Sequence, residues 1–184
     1  MKRLAVFCGS RNGVAPEYRE GAIQLGKELV KRGLSLVYGG GSVGLMGAVA
    51  DSMIEEGGEV IGVMPHVLHE REISHPHLTE LILVETMHER KAKMASIADG
   101  FIILPGGPGT MEEFFEVFTW AVIGIHQKPI GLLNVHQYYE PLLSLFDHMV
   151  EQQFLQEKSR SLIIVESDPK VLLDRLSMYH NETV

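Results

Sequence analysis

Cysteine is nearly missing from this chain of 184 residues: Cys8 stands alone, so no disulfide can form within it. A reducing compartment is the matching expectation. Cys8 closes an apolar segment, where a small buried thiol is common and a catalytic thiol is the alternative. Long apolar runs are missing too, since no segment approaches the ~18 residues of a membrane span. Met1-Lys-Arg-Leu-Ala-Val-Phe meets Cys-Gly-Ser too soon for a signal peptide, and the expectation is a soluble, cytoplasmic protein with no membrane partner. Positive charge is scarce: 16 Lys and Arg against 24 Asp and Glu give a net charge of −8. That balance argues against a nucleic-acid binder, while leaving room for a local basic site that takes a small phosphate. Metal-binding patterns are lacking despite nine histidines. His66, His69, His75 and His77 crowd one loop without ligand spacing, so they are expected to be mostly solvated and no metal is expected.

What is present is alternation. Apolar strand-like segments at 4–8, 34–38, 60–64, 81–84, 101–104, 130–134 and 162–165 are separated by helical ones. The helices are expected at 16–32, 44–56, 87–98, 111–125, 138–153 and 169–179, with a loop holding one helical turn at most over 66–79. Strands that are apolar throughout suit a parallel sheet covered on both faces. With 45% hydrophobic residues and no internal repeat or linker, residues 1–184 read as a single Rossmann-like, doubly wound α/β domain. Ligands are then expected at the carboxyl ends of the strands.

Three glycine-bearing turns follow strands. Gly9-Ser10 follows the first, Gly39-Gly-Gly-Ser-Val-Gly44 the second, and Pro105-Gly-Gly-Pro-Gly-Thr110 the fifth. Gly39, Gly41 and Gly44 satisfy the dinucleotide fingerprint in form, but after the wrong strand, and Val63-Met64-Pro65 offers no acid for a ribose. Tight turns that pack helices on the sheet explain them equally well. The third turn joins a buried strand to a helix, so its glycines and the first helical N–H groups can cradle an anion. Glu112 and Glu113 follow at once. Thr110 and Glu113 also have the spacing of a capping box, which would occupy both side chains with backbone N–H groups. Arg90 and Lys91 fall three and four residues after Met87, on the apolar stripe of their helix. Either they snorkel to solvent along that stripe, or Arg90 lines a cleft and meets a phosphate or carboxylate. Ser10 and Ser42 lie outside any nucleophile elbow and suit hydrogen bonding to a ligand. The helix after Glu113 is apolar on nearly every side, and a homodimer is the simplest second cover.

These motifs together resemble the LOG family, the cytokinin riboside 5′-monophosphate phosphoribohydrolases, often labelled lysine decarboxylases. Pro105-Gly-Gly-Pro-Gly-Thr-Met-Glu-Glu113 matches the PGGxGTxxE signature, and Met87-His-Glu-Arg-Lys91 the helix that precedes it. Cys8-Gly-Ser10, Gly39–Gly47 and Gly124–Asn134 extend the match over nearly the whole chain. Pro108 departs from the aromatic often found at the variable position. The resemblance implies a Rossmann-like dimer, without a cofactor, that hydrolyses the N-glycosidic bond of AMP or an N6-modified AMP. By the same match Arg90 and Glu113 form the catalytic pair; as an adjacent cation, Arg90 is expected to keep Glu113 ionised. Glu72, Arg90, Lys91 and the run Gly106, Gly107, Pro108, Gly109, Thr110, Met111 and Glu112 would contact the nucleotide, joined by Ser10 and Gly41 from the other turns. Met87, His88 and Asn134 are weaker matches near the base or the interface. The decarboxylase label would need a Schiff-base lysine, and nothing places Lys91 or Lys93 in that role. The second reading is a carrier of the same fold, such as a molybdenum-cofactor carrier, which binds a nucleotide or cofactor without reacting it.

Overall fold

The computed structural model describes residues 1–69 and 74–179. Its strands are β1 Arg3–Phe7, β2 Ser35–Tyr38, β3 Val60–Pro65, β4 Glu80–Val84, β5 Gly100–Ile103, β6 Ile130–Leu133 and β7 Ile163–Glu166. The helices are α1 Pro16–Lys31, α2 Gly44–Glu55, α3 His66–His69, α4 Met87–Ile97, α5 Pro108–Val122, α6 Glu140–Glu151, α7 Glu157–Arg160 and α8 Pro169–Ser177. Every pairing in the sheet is parallel, in the order β4-β3-β2-β1-β5-β6-β7. The expected doubly wound α/β architecture is the one observed.

Alternate strand residues feed two cores, as the two-residue period of a strand requires. Leu4 and Val6 face α1, α2 and α8 through Leu25, Val49 and Leu172, whereas Ala5 and Phe7 face α4, α5 and α6 through Met94, Phe114 and Phe146. Phe146 is 1% exposed and meets the rings of Phe114, Phe115 and Phe118 at 5.1–5.9 Å. Helix α6 thus supplies much of the second cover that α5 needs. Ile123, Ile125 and Phe154 remain 63%, 64% and 89% exposed. No helix among the described residues is long and apolar enough to cross a membrane.

Three local expectations are corrected. Helix α5 begins at Pro108 rather than at 111, because proline suits the first helical position, where no N–H is needed. Helix α6 begins at Glu140 rather than at 138, two residues beyond a 3-10 turn, Val135–Gln137, and neither that turn nor the short α7 was anticipated. His75 is buried rather than solvated: its Nε2 lies 2.9 Å from Asp51 Oδ1, and its N–H donates to the Gly40 carbonyl at 3.0 Å.

The order of the strands decides where a site can form. The chain grows one way from β1 through β4, then returns to the other side of β1 with β5. At that reversal the turns after β1 and β5 diverge on opposite faces and leave a crevice between them. The first and third glycine turns are the two turns concerned.

Candidate active site

The floor of the crevice is backbone. Gly9 N–H donates to the Pro105 carbonyl at 3.0 Å, and Leu45 N–H, at the start of α2, donates to the Gly9 carbonyl at 3.0 Å. Gly44 has φ of +62°, and a Cβ there would lie 2.2 Å from the Ser10 backbone. That position therefore admits only glycine. Gly39 is needed for a different reason: a Cβ would sit 2.1 Å from Nη2 of Arg90. The dinucleotide-like turn thus packs α2 against the first turn and leaves space for one guanidinium.

Helix α5 carries the acids. Its N-cap is Gly107, with no side-chain capping bond, so the capping box over Thr110 and Glu113 does not form. Thr110 is inside the first turn, and its Oγ1 leaves no room for a Cβ on Gly106, which would approach to 2.1 Å. Glu113 lies one turn further in and is 9% exposed. Helix α4 brings the cation to it: Arg90 Nη2 is 3.6 Å from Glu113 Oε1. Arg90 Nε is buried without a hydrogen-bond partner among the described residues.

Adjacent residues on α4 separate by about 100°, which sends Arg90 and Lys91 to different places. Lys91 is 6% exposed and does not snorkel. Its Nζ pairs with Glu112 and, at 3.1 Å, with Glu116. The hydrogen bond with Glu112 leads the effects that raise its pKa above the ordinary lysine value.

Burial outweighs the arginine at Glu113. Desolvation is the largest effect and raises the carboxyl from 4.5 to about 6, against the opposing pull of Arg90. Arg90 favours the ionised form, as expected, but does not cancel burial: with its carboxyl pushed up to about 6, Glu113 is still mostly ionised at pH 7. The Cys8 thiol is pushed far up, first by burial and then by the charge of Glu113. It is a core thiol held neutral, which leaves the catalytic alternative without support.

Two adjoining cavities open here. One, of about 290 Å³, is lined by Ser10, Gly39, Met87, Arg90, Thr110 and Glu113, with Gly107, Pro108, Gly109 and Glu112 on its rim. The other, of about 430 Å³, is lined by Arg11, Asn12, Tyr18, Leu45, Gly106 and Tyr138. Gly9, Ser10, Gly107 and Pro108 border both. The structure therefore gathers Arg90, Glu113, Ser10 and most of the third turn at one place. Lys91, Met111 and Gly41 line neither cavity, and Gly41 instead pairs with Ser74 in an isolated bridge. Glu72 lies outside the described residues. His88 is exposed. Asn134 holds the turn after β6, where its Oδ1 accepts from Tyr139 N–H and its Nδ2 donates to Glu140, each at 2.7 Å. Sequence reasoning missed Arg11, Asn12, Tyr18 and Tyr138. The first two directly follow the Cys8-Gly-Ser10 turn and could have been included on that ground. Tyr138 arrives from β6, and nothing local announces it.

The chain is 52% identical to a probable cytokinin riboside 5′-monophosphate phosphoribohydrolase of Oryza sativa subsp. japonica, over 97% of this chain and 73% of the rice protein. It is 51% identical to a cytokinin riboside 5′-monophosphate phosphoribohydrolase of Arabidopsis thaliana, over 98% of this chain and 83% of that one. The chain belongs to the LOG family. A family described as "Possible lysine decarboxylase" also matches residues 46–176. Among solved structures, the molybdenum cofactor binding protein of Rippkaea orientalis superposes with a TM-score of 0.72 at 22% identity, covering 96% of this chain and 95% of that one. At that identity it shares the fold alone with this LOG-family chain. The residues do not fit the pyridoxal chemistry of a decarboxylase. Lys91 is engaged by two carboxylates, Lys128 Nζ donates to the Ala95 carbonyl at 2.6 Å, and among the described residues no lysine lines either cavity.

Proposed function

We propose that this protein hydrolyses the N-glycosidic bond of an adenosine 5′-monophosphate, AMP or an N6-modified AMP, to the free base and ribose 5-phosphate. The observation that carries the reading is the Arg90–Glu113 pair, buried beside the N-terminus of α5 in a chain of the LOG family. A carrier would need the glycine turns and a cation, but not an acid poised near 6 against that cation.

Backbone N–H groups of Gly107, Gly109 and Thr110 hold the 5′-phosphate; Pro108 has none to give. Binding the phosphate places the ribose beside Glu113, so remote binding energy orients the reacting carbon. Departure of the base leaves positive charge on the sugar, as in glycoside hydrolysis. The Glu113 carboxylate stabilises that charge or orients the attacking water. Arg90 completes the anion site and stays within reach of the carboxylate. Lys91 acts through Glu112, whose charge it balances at the edge of the cavity. A homodimer is part of the same reading, supported by the apolar surface at Ile123, Ile125 and Phe154. A cytoplasmic setting fits the single buried thiol.

Chromatographic assay of base release from AMP, isopentenyladenosine monophosphate, GMP and CMP tests the proposal, with Glu113→Gln as control. Adenine or its isopentenyl derivative should appear with the wild type and not with the variant. AMP binding without base release would favour the carrier.

A further inference from the structure

The turn after β6 is strained. His136 and Gln137 are consecutive non-glycine residues with φ of 51° and 56°, a region that a Cβ disfavours. What this turn achieves is the placement of the two residues after it. Tyr138 Oη donates to the Gly106 carbonyl at 2.6 Å, and Tyr139 Oη donates to the Leu104 carbonyl at 2.6 Å. Asn134 secures the turn from within, and the edge of Tyr18 packs on Tyr138 at 5.7 Å and on His136 at 5.9 Å. Two hydroxyls from the turn after β6 therefore grip the loop that joins β5 to α5.

The Gly106 carbonyl belongs to a peptide between two glycines. Position 106 has no room for a Cβ, because Thr110 Oγ1 fills that space, and at 107 there is open space around the backbone. No side chain on either residue restrains rotation of this peptide. A half-turn would present a carbonyl oxygen where an N–H had been, and a carbonyl repels a phosphate. In a planar trans peptide, C=O and N–H point in opposite directions. Gly106 borders the larger cavity only, together with Tyr138, whereas Gly107 borders both cavities. Holding the Gly106 oxygen on the Tyr138 side directs the Gly107 N–H away from Tyr138.

We propose that Tyr138 is a positioning residue for phosphate recognition: its hydroxyl fixes the Gly106–Gly107 peptide with the N–H turned to the nucleotide's 5′-phosphate. The identity of that anion rests on the phosphoribohydrolase reading. The device matters more in this chain than in one with an N–H at position 108, because Pro108 leaves fewer donors to share the load.

Tyr138→Phe removes one oxygen and keeps the ring. The KM for AMP should rise about tenfold, the scale of one weakened N–H bond to a charged group, while kcat changes less than about twofold. Calorimetric titration with inorganic phosphate and with ribose 5-phosphate should show the same loss of affinity. Cleavage of adenosine, which has no phosphate, should be equal in the two proteins. Tyr139→Phe is the structural control: it should lower the thermal midpoint and leave phosphate affinity intact. An unchanged KM for AMP with unchanged phosphate affinity in Tyr138→Phe overturns the proposal, as does an equal loss on adenosine. If the wild type releases no base from any nucleotide, the functional reading falls, and the phosphate titration still decides the role of Tyr138.

Discussion

Replacing Glu113, the acid proposed to perform the chemistry, should make the protein more stable. Raising Glu113 from 4.5 to about 6 means that burial makes its ionised form unfavourable in the fold, even with Arg90 alongside. Between those two pH values the unfolded chain has released the proton and the folded chain still holds it, so stability falls as pH rises through the window. By pH 7 the accumulated cost is about 2 kcal/mol. Glutamine has nearly the shape of the protonated acid and carries no charge. Glu113→Gln should therefore gain about 2 kcal/mol at pH 7, or about 4–8 °C in thermal midpoint for a chain of this size. Base release should meanwhile fall by about 10²–10³-fold, the scale of losing one electrostatic stabiliser. Urea unfolding of both proteins at several pH values between 4 and 8 measures the gap. It should be near zero below pH 4.5, open between 4.5 and 6, and stay level above. A variant less stable than wild type at pH 7, or a gap that persists unchanged below pH 4.5, would refute the argument that burial outweighs Arg90.

Three further outcomes follow from the same geometry. The pH profile of kcat/KM should show an acid limb near 6, with activity lost as Glu113 takes up its proton; a limb near 4.5 would mean that the acid is not desolvated in solution. Gly39→Ala puts a Cβ 2.1 Å from the tip of Arg90, a flexible end that can move aside. Base release should drop at least about tenfold while the thermal midpoint barely moves, since only the guanidinium is displaced; full activity would mean that the position of Arg90 is not critical. Lys91→Met leaves Glu112 and Glu116 without their cation and should cost about 1–3 kcal/mol of stability, with a smaller effect on turnover. Loss of AMP binding at unchanged stability would instead put Lys91 in contact with the nucleotide.

Much of this protein is legible in the order of its residues. Apolar segments at regular intervals, each closed by glycine or proline, are enough to give a parallel sheet between helices. The glycines after the first and fifth strands mark where two stretches of backbone come close to each other, because close approach excludes Cβ atoms whatever the surrounding fold. Each turn is a short stretch of chain, Glu113 follows the second of them at once, and the PGGPGT run is distinctive enough to indicate the family.

Tertiary structure decided the rest. Arg90 and Lys91 are neighbours in sequence, yet one meets Glu113 and the other Glu112, because a helix turns each residue toward a different surface. Thr110 and Glu113 have capping-box spacing, but the helix starts at Pro108 and leaves them within it. The balance at Glu113 between burial and Arg90 depends on how completely α4, α5 and the second turn exclude water, which no spacing of residues expresses. Tyr138 reaches Gly106 from 32 positions away only because β6 lies next to β5 in the sheet. Sequence sets the conformations a short stretch of backbone can adopt; which side chains then meet, and how strongly they feel one another's charge, depends on distance and dielectric, and these exist only once the chain has folded.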